Sequence, residues 1–175
     1  MQRRRQGTAQ PQGSELENPS TWYRHSVALM AAARTLWPRV RAGFPKTGRR
    51  FSARRFKDFQ QHAPAFLLLC AFAVENALKG TKVKHIRRRG GAPVFSNRQA
   101  AAAERVWGHD LPQLARDIML ATSSEDDERL HVLQRNIEWA GRYPRPTGKG
   151  SAFVQRYGAD DLRQVVRLIA RIKRA

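Results

Sequence analysis

Apolar side chains along this chain recur every three to four residues, which is the spacing of one face of an α-helix. The pattern predicts a first helix from Ser20, an N-cap residue that follows Pro19. Pro38 is expected to kink or end this helix, because proline removes a backbone donor. The buried face is predicted to consist of Trp22, Val27, Met30, Ala33, Leu36 and Trp37. The sequence lacks the alternating pattern of strands, so the predicted fold class is all-α.

The most apolar segment predicts the central helix of the fold. Pro64 suits a first helical turn and Gly80 suits a C-terminal cap, so this helix is expected to run from about Pro64 to Lys79. Almost no polar face remains within it, and a helix that is apolar all round has to be surrounded by others. The centre of the core is predicted to hold three of its side chains: Phe66, Leu69 and Phe72. Replacing the last of these with Ala is expected to cost about 3–5 kcal/mol.

Two basic segments that contain glycine, residues 43–62 and 81–105, interrupt the apolar pattern. Residues 43–62 are predicted to form a solvated connector, with a short helix around Phe56 and Phe59. A phosphate-contacting surface is the alternative for this segment. Residues 81–105 predict a mobile loop followed by a short helix near Asn97 to Val106.

Three further helices are predicted after the second basic segment. The third helix begins at Asp110, which has the spacing of a capping box with Gln113. Acidic residues 125–128 open the fourth helix, where negative charge suits the positive end of the helix dipole, and Gly141 ends it. The last helix begins near Ala159 and carries an apolar stripe at helical spacing.

The length of 175 residues and the hydrophobic content of 41% fit one globular domain. Residues 1–19 are rich in Gln, Arg, Gly and Pro, and they predict a disordered basic tail. Residues 20–175 are then a single helical domain. The chain thus predicts one compact functional unit.

Cysteine usage and the absence of targeting signals favour a cytoplasmic protein. Cys70 is the only cysteine, so no internal disulfide forms, and no cysteine–histidine cluster has the spacing of a zinc site. The polar N-terminus lacks the apolar region of a secretory signal, and the longest apolar stretch, Ala63 to Val74, is too short to span a bilayer. We therefore expect no membrane association, no metal and no cofactor.

Net charge is the most unusual global property of the chain. Lys and Arg total 33 against 14 Asp and Glu, which gives +19. Such a charge attracts RNA or another polyanion, although a GC-rich genome would also favour arginine codons without any binding role. The residues predicted to contact phosphate are Arg87, Arg88 and Arg89. On the last helix, a solvated basic ridge is predicted at Arg163, Arg167 and Arg171.

Three short motifs occur in a fixed order along the chain. Residues 71–80 read AFAVENALKG, residues 108–111 read GHDL, and residues 142–144 read RYP. Together they resemble the AxExxLKG, GHDL and RYP segments of HEPN-like prokaryotic proteins, and the resemblance covers roughly Trp22 to Ile172. Each motif alone is common, so the order and spacing of the three carry the resemblance.

This resemblance implies an up-and-down bundle of four to five helices that forms a homodimer. Some HEPN-like proteins are metal-independent RNases of toxin or phage-defence systems, and others are non-catalytic partners of nucleotidyltransferases. The catalytic members carry an Arg-x4–6-His pair near the last helix, in which a cation stabilises phosphate charge and an imidazole moves protons. The later helices of this chain lack such a pair, and the one formal match joins Arg55 to His62, before the central helix.

The candidate site consists of Glu75, Lys79, His109, Asp110, Arg142 and Tyr143. These residues lie at predicted helix ends, which meet in a bundle. Histidine is the only residue type among them that titrates near neutrality, so His109 is the candidate proton-transfer group and Arg142 its anion-binding companion. A structural interpretation is also open, with an i,i+4 pair of Glu75 and Lys79 and an N-cap at Asp110.

Two classes of function therefore remain open. The first is an RNA-associated HEPN-like protein, either an RNase or its non-catalytic relative. The second is a non-catalytic helical interaction module whose basic surface meets an acidic partner. A nucleotide-binding accessory subunit shares the same fold and is a third possibility. A neighbouring antitoxin-like or nucleotidyltransferase gene, whose product would be the partner, would favour the first or the third. An RNA cleavage assay with and without His109→Ala tests the first of these.

Overall fold

The computed structural model of the chain describes residues 16–42, 53–91, 108–140 and 161–175. Within these ranges the chain forms helices and no strands, which confirms the predicted all-α bundle. The helices are α1 (Pro19–Ala42), α2 (Ala53–Arg88), α3 (Leu111–Asp117), α4 (Ser124–Arg135) and α5 (Asp161–Arg174). A π-helical turn, Asn136–Ala140, continues α4.

Helix α2 is the centre of the bundle, and α1, α3, α4 and α5 all pack against it. Helix α1 runs antiparallel to α2, because Tyr23 near its start bonds Thr81, whereas Arg39 near its end bonds His62. Helix α5 contacts the C-terminal half of α2, where the Thr81 hydroxyl donates to the carbonyl oxygen of Ile172 at 2.9 Å. The prediction of a surrounded central helix is therefore confirmed.

The length of α2 differs from the sequence prediction, which placed it from Pro64 to Lys79. It extends eleven residues further towards the N-terminus and nine further towards the C-terminus. Packing explains both extensions, since Phe59 is buried at the early end and Ile86 at the late end. Burial of such side chains offsets the backbone donor lost at Pro64.

The two predicted connectors are therefore partly helical. Residues 53–62, where the sequence predicted a short helix within a solvated connector, belong to α2. Residues 81–88, which were predicted to be a basic loop, also belong to α2. The predicted short helix near Asn97 to Val106 and residues 1–15 of the predicted tail, which comprised residues 1–19, lie outside the described residues. Within the described part, basic and glycine-containing sequence thus proved a poor indicator of helix ends.

Pro38 was predicted to kink or end α1; it lies inside the helix, so the predicted helix end is wrong. The final turn of α1 continues to Ala42 and buries Val40 to 2% exposure. One turn earlier, the Trp37 ring lies against Phe66, with 5.3 Å between ring centroids. These apolar contacts stabilise the turn that the missing proline N–H weakens.

The core side chains predicted for α2 are only partly right. Phe66 is 2% exposed, but Leu69 and Phe72 are half-buried and pack at the edge of the core. Cys70 is fully buried, and this burial raises the pKa of its thiol to about 12. The segment Gln61–Arg88 is long and apolar enough to cross a membrane by length and composition, yet 67% of its apolar window is buried, as in many core helices.

Gly80 was predicted to cap the central helix, but it lies inside α2, where its backbone packs closely against α1. A Cβ atom there would lie 2.9 Å from Trp22 Cβ and 2.9 Å from Tyr23 Cε1. We expect Gly80→Ala to lower the free energy of unfolding by about 1–3 kcal/mol, although Ala is normally the better helix former. Urea unfolding measures this change, and a stabilised variant would contradict the close packing.

Candidate functional site

Glu75 and Lys79 form a buried ion pair on successive turns of α2. The Lys79 Nζ atom lies 2.5 Å from Glu75 Oε1, and both side chains are at most 7% exposed. Nζ also lies 5.7 Å from the centre of the Trp22 ring, within reach of a cation–π interaction. The sequence predicted the i,i+4 pair but not its burial, which makes the pair far more costly to break than a surface pair.

His109 contacts the other oxygen of the same carboxylate. Its Nδ1 lies 3.0 Å from Glu75 Oε2, and its side chain is 55% exposed. A carboxylate oxygen accepts hydrogen bonds, so Nδ1 carries the proton in this contact and the lone pair of the neutral ring is on Nε2. In the described part of the chain, Nε2 makes no hydrogen bond. The buried Glu75 therefore orients a half-exposed imidazole that retains an available nitrogen.

Asp110 caps α3, as the structural interpretation of the sequence predicted. Its side chain accepts a hydrogen bond from the Gln113 backbone N–H at 2.9 Å. The reciprocal half of the predicted capping box is missing, because the Gln113 side chain donates to Asp117 instead, at 2.7 Å. Asp110 is exposed and occupied as a cap, so its contribution to the site is to place His109 at the start of α3.

A second ion pair between α2 and α3 was not predicted from the sequence. Lys82 Nζ lies 2.6 Å from Asp117 Oδ2, and both side chains are largely buried. Lys82 follows Glu75 by two helical turns and therefore lies on the same face of α2. This spacing is the sequence signal from which its place beside α3 could have been predicted. Contacts at His109 and Asp117 hold both ends of α3 and show that α3 runs parallel to this part of α2.

The remaining predicted site residues lie either far from His109 or outside the described residues. Arg87, Arg88 and Arg89 are exposed at the end of α2, about 20 Å along the helix from Glu75. Glu75 and Lys79 were predicted to lie at a helix end, which is wrong, since α2 continues past them to Arg88. Arg142 and Tyr143 lie outside the described residues, so their convergence with His109 stays a prediction. Among the described residues, no group of three His, Cys, Asp or Glu side chains is placed to hold a metal ion.

A further acidic residue, Asp126, is buried between α4 and α5. It forms a capping box with Ser123 and accepts a hydrogen bond from Arg171 at 2.5 Å. Burial alone would raise the pKa of Asp126, but the hydrogen bonds from Arg171 and Ser123 and the charge of Arg171 together hold it below its usual value. The basic ridge predicted for α5 is correct for the exposed Arg163 and Arg167 and wrong for Arg171, which is paired.

The lowered pKa of Asp126 predicts a loss of stability in acid. A carboxylate with a lowered pKa in the folded protein contributes stability above its unfolded pKa, near 4, and that contribution is lost as the pH falls through the folded pKa. We expect Asp126→Asn to lose less stability than the wild type between about pH 5 and pH 2. Urea unfolding across this range measures the difference. Asp127→Asn, at the exposed neighbouring carboxylate, should keep the wild-type slope.

Comparison of the chain with protein-family models, with curated proteins and with solved structures finds no match. The contacts that join Lys79, Glu75 and His109 are therefore the main structural indication of function.

Proposed function

We propose that this chain is a HEPN-like, RNA-associated protein in which His109 accepts a proton during metal-independent RNA cleavage. The observation that carries the proposal is the contact between the half-exposed imidazole and the buried carboxylate of Glu75. A carboxylate on Nδ1 fixes the tautomer and orientation of a catalytic imidazole and stabilises its protonated form. The same carboxylate is held by Lys79, so the imidazole is supported from within the core.

The motifs that carry the resemblance support the same proposal. Glu75 and Lys79 belong to the AxExxLKG-like segment, and His109 belongs to the GHDL-like segment. Glu75 and His109 are 34 positions apart along the chain, yet their side chains are in direct contact. A functional site would explain why side chains from two motifs are in contact. The alternative is that the same contact serves only to hold α3 against α2.

RNA cleavage at this site needs no cofactor. The Nε2 lone pair of His109 takes the proton of a ribose 2′-hydroxyl, whose oxygen attacks the adjacent phosphorus. The bond from phosphorus to the 5′-oxygen breaks, and that oxygen takes a proton from water. The products are a 2′,3′-cyclic phosphate and a 5′-hydroxyl end. Arg142 is the proposed cation for the phosphate charge, as the RYP-like motif implies.

Binding of RNA is assigned to the basic surface. Arg87, Arg88 and Arg89 are exposed at the end of α2, and the chain carries a net charge of +19. Phosphate contacts made by such residues release counterions, so the affinity should fall steeply with salt. This electrostatic contribution is independent of sequence and brings RNA to the surface without selecting a cleavage position.

The experiment that tests the proposal is incubation of the purified protein with end-labelled RNA in the presence of a chelator. We expect cleavage products with 2′,3′-cyclic phosphate ends, and a loss of rate on the order of a hundredfold for His109→Ala. Glu75→Gln should lower the rate by altering the tautomer and the charge that support His109.

His131→Ala provides the matched control, because His131 is exposed on α4 and belongs to none of the motifs. This variant should cleave at the wild-type rate, which would exclude a general effect of removing histidine. Binding without cleavage by the wild type, or equal rates for His109→Ala and the wild type, would contradict the catalytic role. The second candidate, a non-catalytic interaction module, would then be favoured, since His109 and Asp117 together hold α3 in place.

A further inference from the structure

A cleft between α4 and α5 lies apart from the His109 site. Its volume is about 210 Å³, which exceeds that of a phosphate group. It is lined by Ser123, Glu125, Asp126, Arg129, Gln164, Arg167, Leu168 and Arg171. None of these residues belongs to α1, α2 or α3, and none takes part in the contacts of His109.

The carboxylate of Asp126 organises two of the three arginines of the cleft. Its oxygens lie 2.5 Å from Arg171 Nη2 and 3.5 Å from Arg129 Nη1. A guanidinium carries five N–H groups, so one contact to Asp126 leaves Arg171 with donors to spare. In the described residues those donors have no other partner, and the side chain of Arg171 is 39% exposed. A buried acid thus holds an arginine in a fixed orientation without using all of its donors.

The third arginine and a glutamine complete the donor set. Arg167 is exposed, and within the described ranges it makes neither an ion pair nor a hydrogen bond. The same holds for the amide of Gln164, one helical turn before Leu168. Leu168 is fully buried beneath these polar groups and gives the cleft a rigid base.

The charges of the cleft favour an anion. Three arginines face two acids, and one of the acids, Asp126, already has its charge compensated by Arg171 and Arg129. Ser123 and Asp126 already cap the first turn of α4, so the side chains of the cleft are its anion-binding donors. We propose that the cleft binds a phosphate group, with N–H groups of Arg167 and Arg171 as the charged donors and the Gln164 amide as the neutral one.

Phosphate binding in this cleft is a separate property from the proposed RNA cleavage and is independent of it. The phosphate belongs either to a free nucleotide or to an RNA strand, and the two sources share the same recognition chemistry. Guanidinium groups suit phosphate because their planar N–H pairs match two phosphate oxygens.

Amide NMR titration of the ¹⁵N-labelled protein tests the proposal. The probes are inorganic phosphate, adenosine 5′-monophosphate, adenosine, and a short RNA without a terminal phosphate. We expect saturable shifts of the Ser123, Gln164 and Leu168 amides with the two phosphate compounds and none with adenosine. Shifts of the same amides with the RNA would identify a phosphodiester as a ligand, and their absence would restrict the site to terminal phosphate.

Arg167→Ala should weaken phosphate binding about tenfold, since it removes a charge-assisted contact. Arg174→Ala removes the same charge from an exposed position on the same helix and should change the affinity less than about twofold. Equal losses in both variants would show diffuse attraction, and shifts that do not saturate would show that no site exists; either result overturns the proposal. His109→Ala should leave the shifts unchanged, so a failure of the RNase proposal stays distinguishable.

Discussion

Replacing Glu75 with Leu is expected to lower the free energy of unfolding by about 3–5 kcal/mol. Lys79 would stay within the core without the carboxylate that pairs with it at 2.5 Å, and removing one partner of a buried ion pair is strongly destabilising. The Trp22 ring offers a cation–π contact to the same ammonium, which replaces only a small part of the lost interaction. Urea unfolding followed by circular dichroism measures the change.

The double variant Glu75→Leu/Lys79→Met separates the buried charge from the loss of packing. Apolar side chains of similar volume should restore most of the stability, because a buried ion pair contributes little net free energy over a well-packed apolar pair. Asp127→Asn, at an exposed carboxylate of α4, is the control and should change stability by no more than about 0.5 kcal/mol. If the double variant were as unstable as the single one, burial of the Lys79 charge would not be the cause.

The fold class followed directly from the sequence, but helix ends did not. Apolar side chains at helical spacing predicted the helices because each helix has to bury one face. Pro38 and Gly80 then gave misleading end signals, since both lie inside helices whose neighbouring turns are buried. Local propensity at such positions is worth about 1–3 kcal/mol, which the burial of side chains such as Val40 and Ile86 exceeds.

Three of the predicted site residues meet in the structure, but the sequence did not reveal their geometry. The motif segments contain Glu75, Lys79 and His109, which the structure brings into contact. From the sequence, Glu75 and Lys79 were expected at a helix end, whereas they lie in the interior of α2 beside the parallel α3. Because α3 begins beside Glu75 and not beside the end of α2 at Arg88, counting helices along the sequence could not reveal this arrangement.

Replacing Phe66 with Ala is expected to cost about 3–5 kcal/mol, a large part of the 5–15 kcal/mol by which a typical domain is stable. The ring is 2% exposed and packs against Trp37, with 5.3 Å between ring centroids. Removing it leaves a cavity where α1 meets α2, and both helices are fixed there by other contacts, among them the bond from Arg39 to His62. The neighbours therefore have little freedom to close the cavity, which places the cost at the upper end of the range.

Phe72→Ala is the matched control, because it removes the same ring from the same helix at a half-buried position. From the sequence alone both residues were expected at the centre of the core, and the expected cost of Phe72→Ala was about 3–5 kcal/mol. The structure predicts a cost of about 1–2 kcal/mol at Phe72, since only part of the ring leaves contact with other side chains and water fills the remaining space. Urea midpoints of the two variants measure the difference directly. Equal losses would show that residue 72 is as deeply packed as residue 66 and would contradict the arrangement of α2 within the bundle.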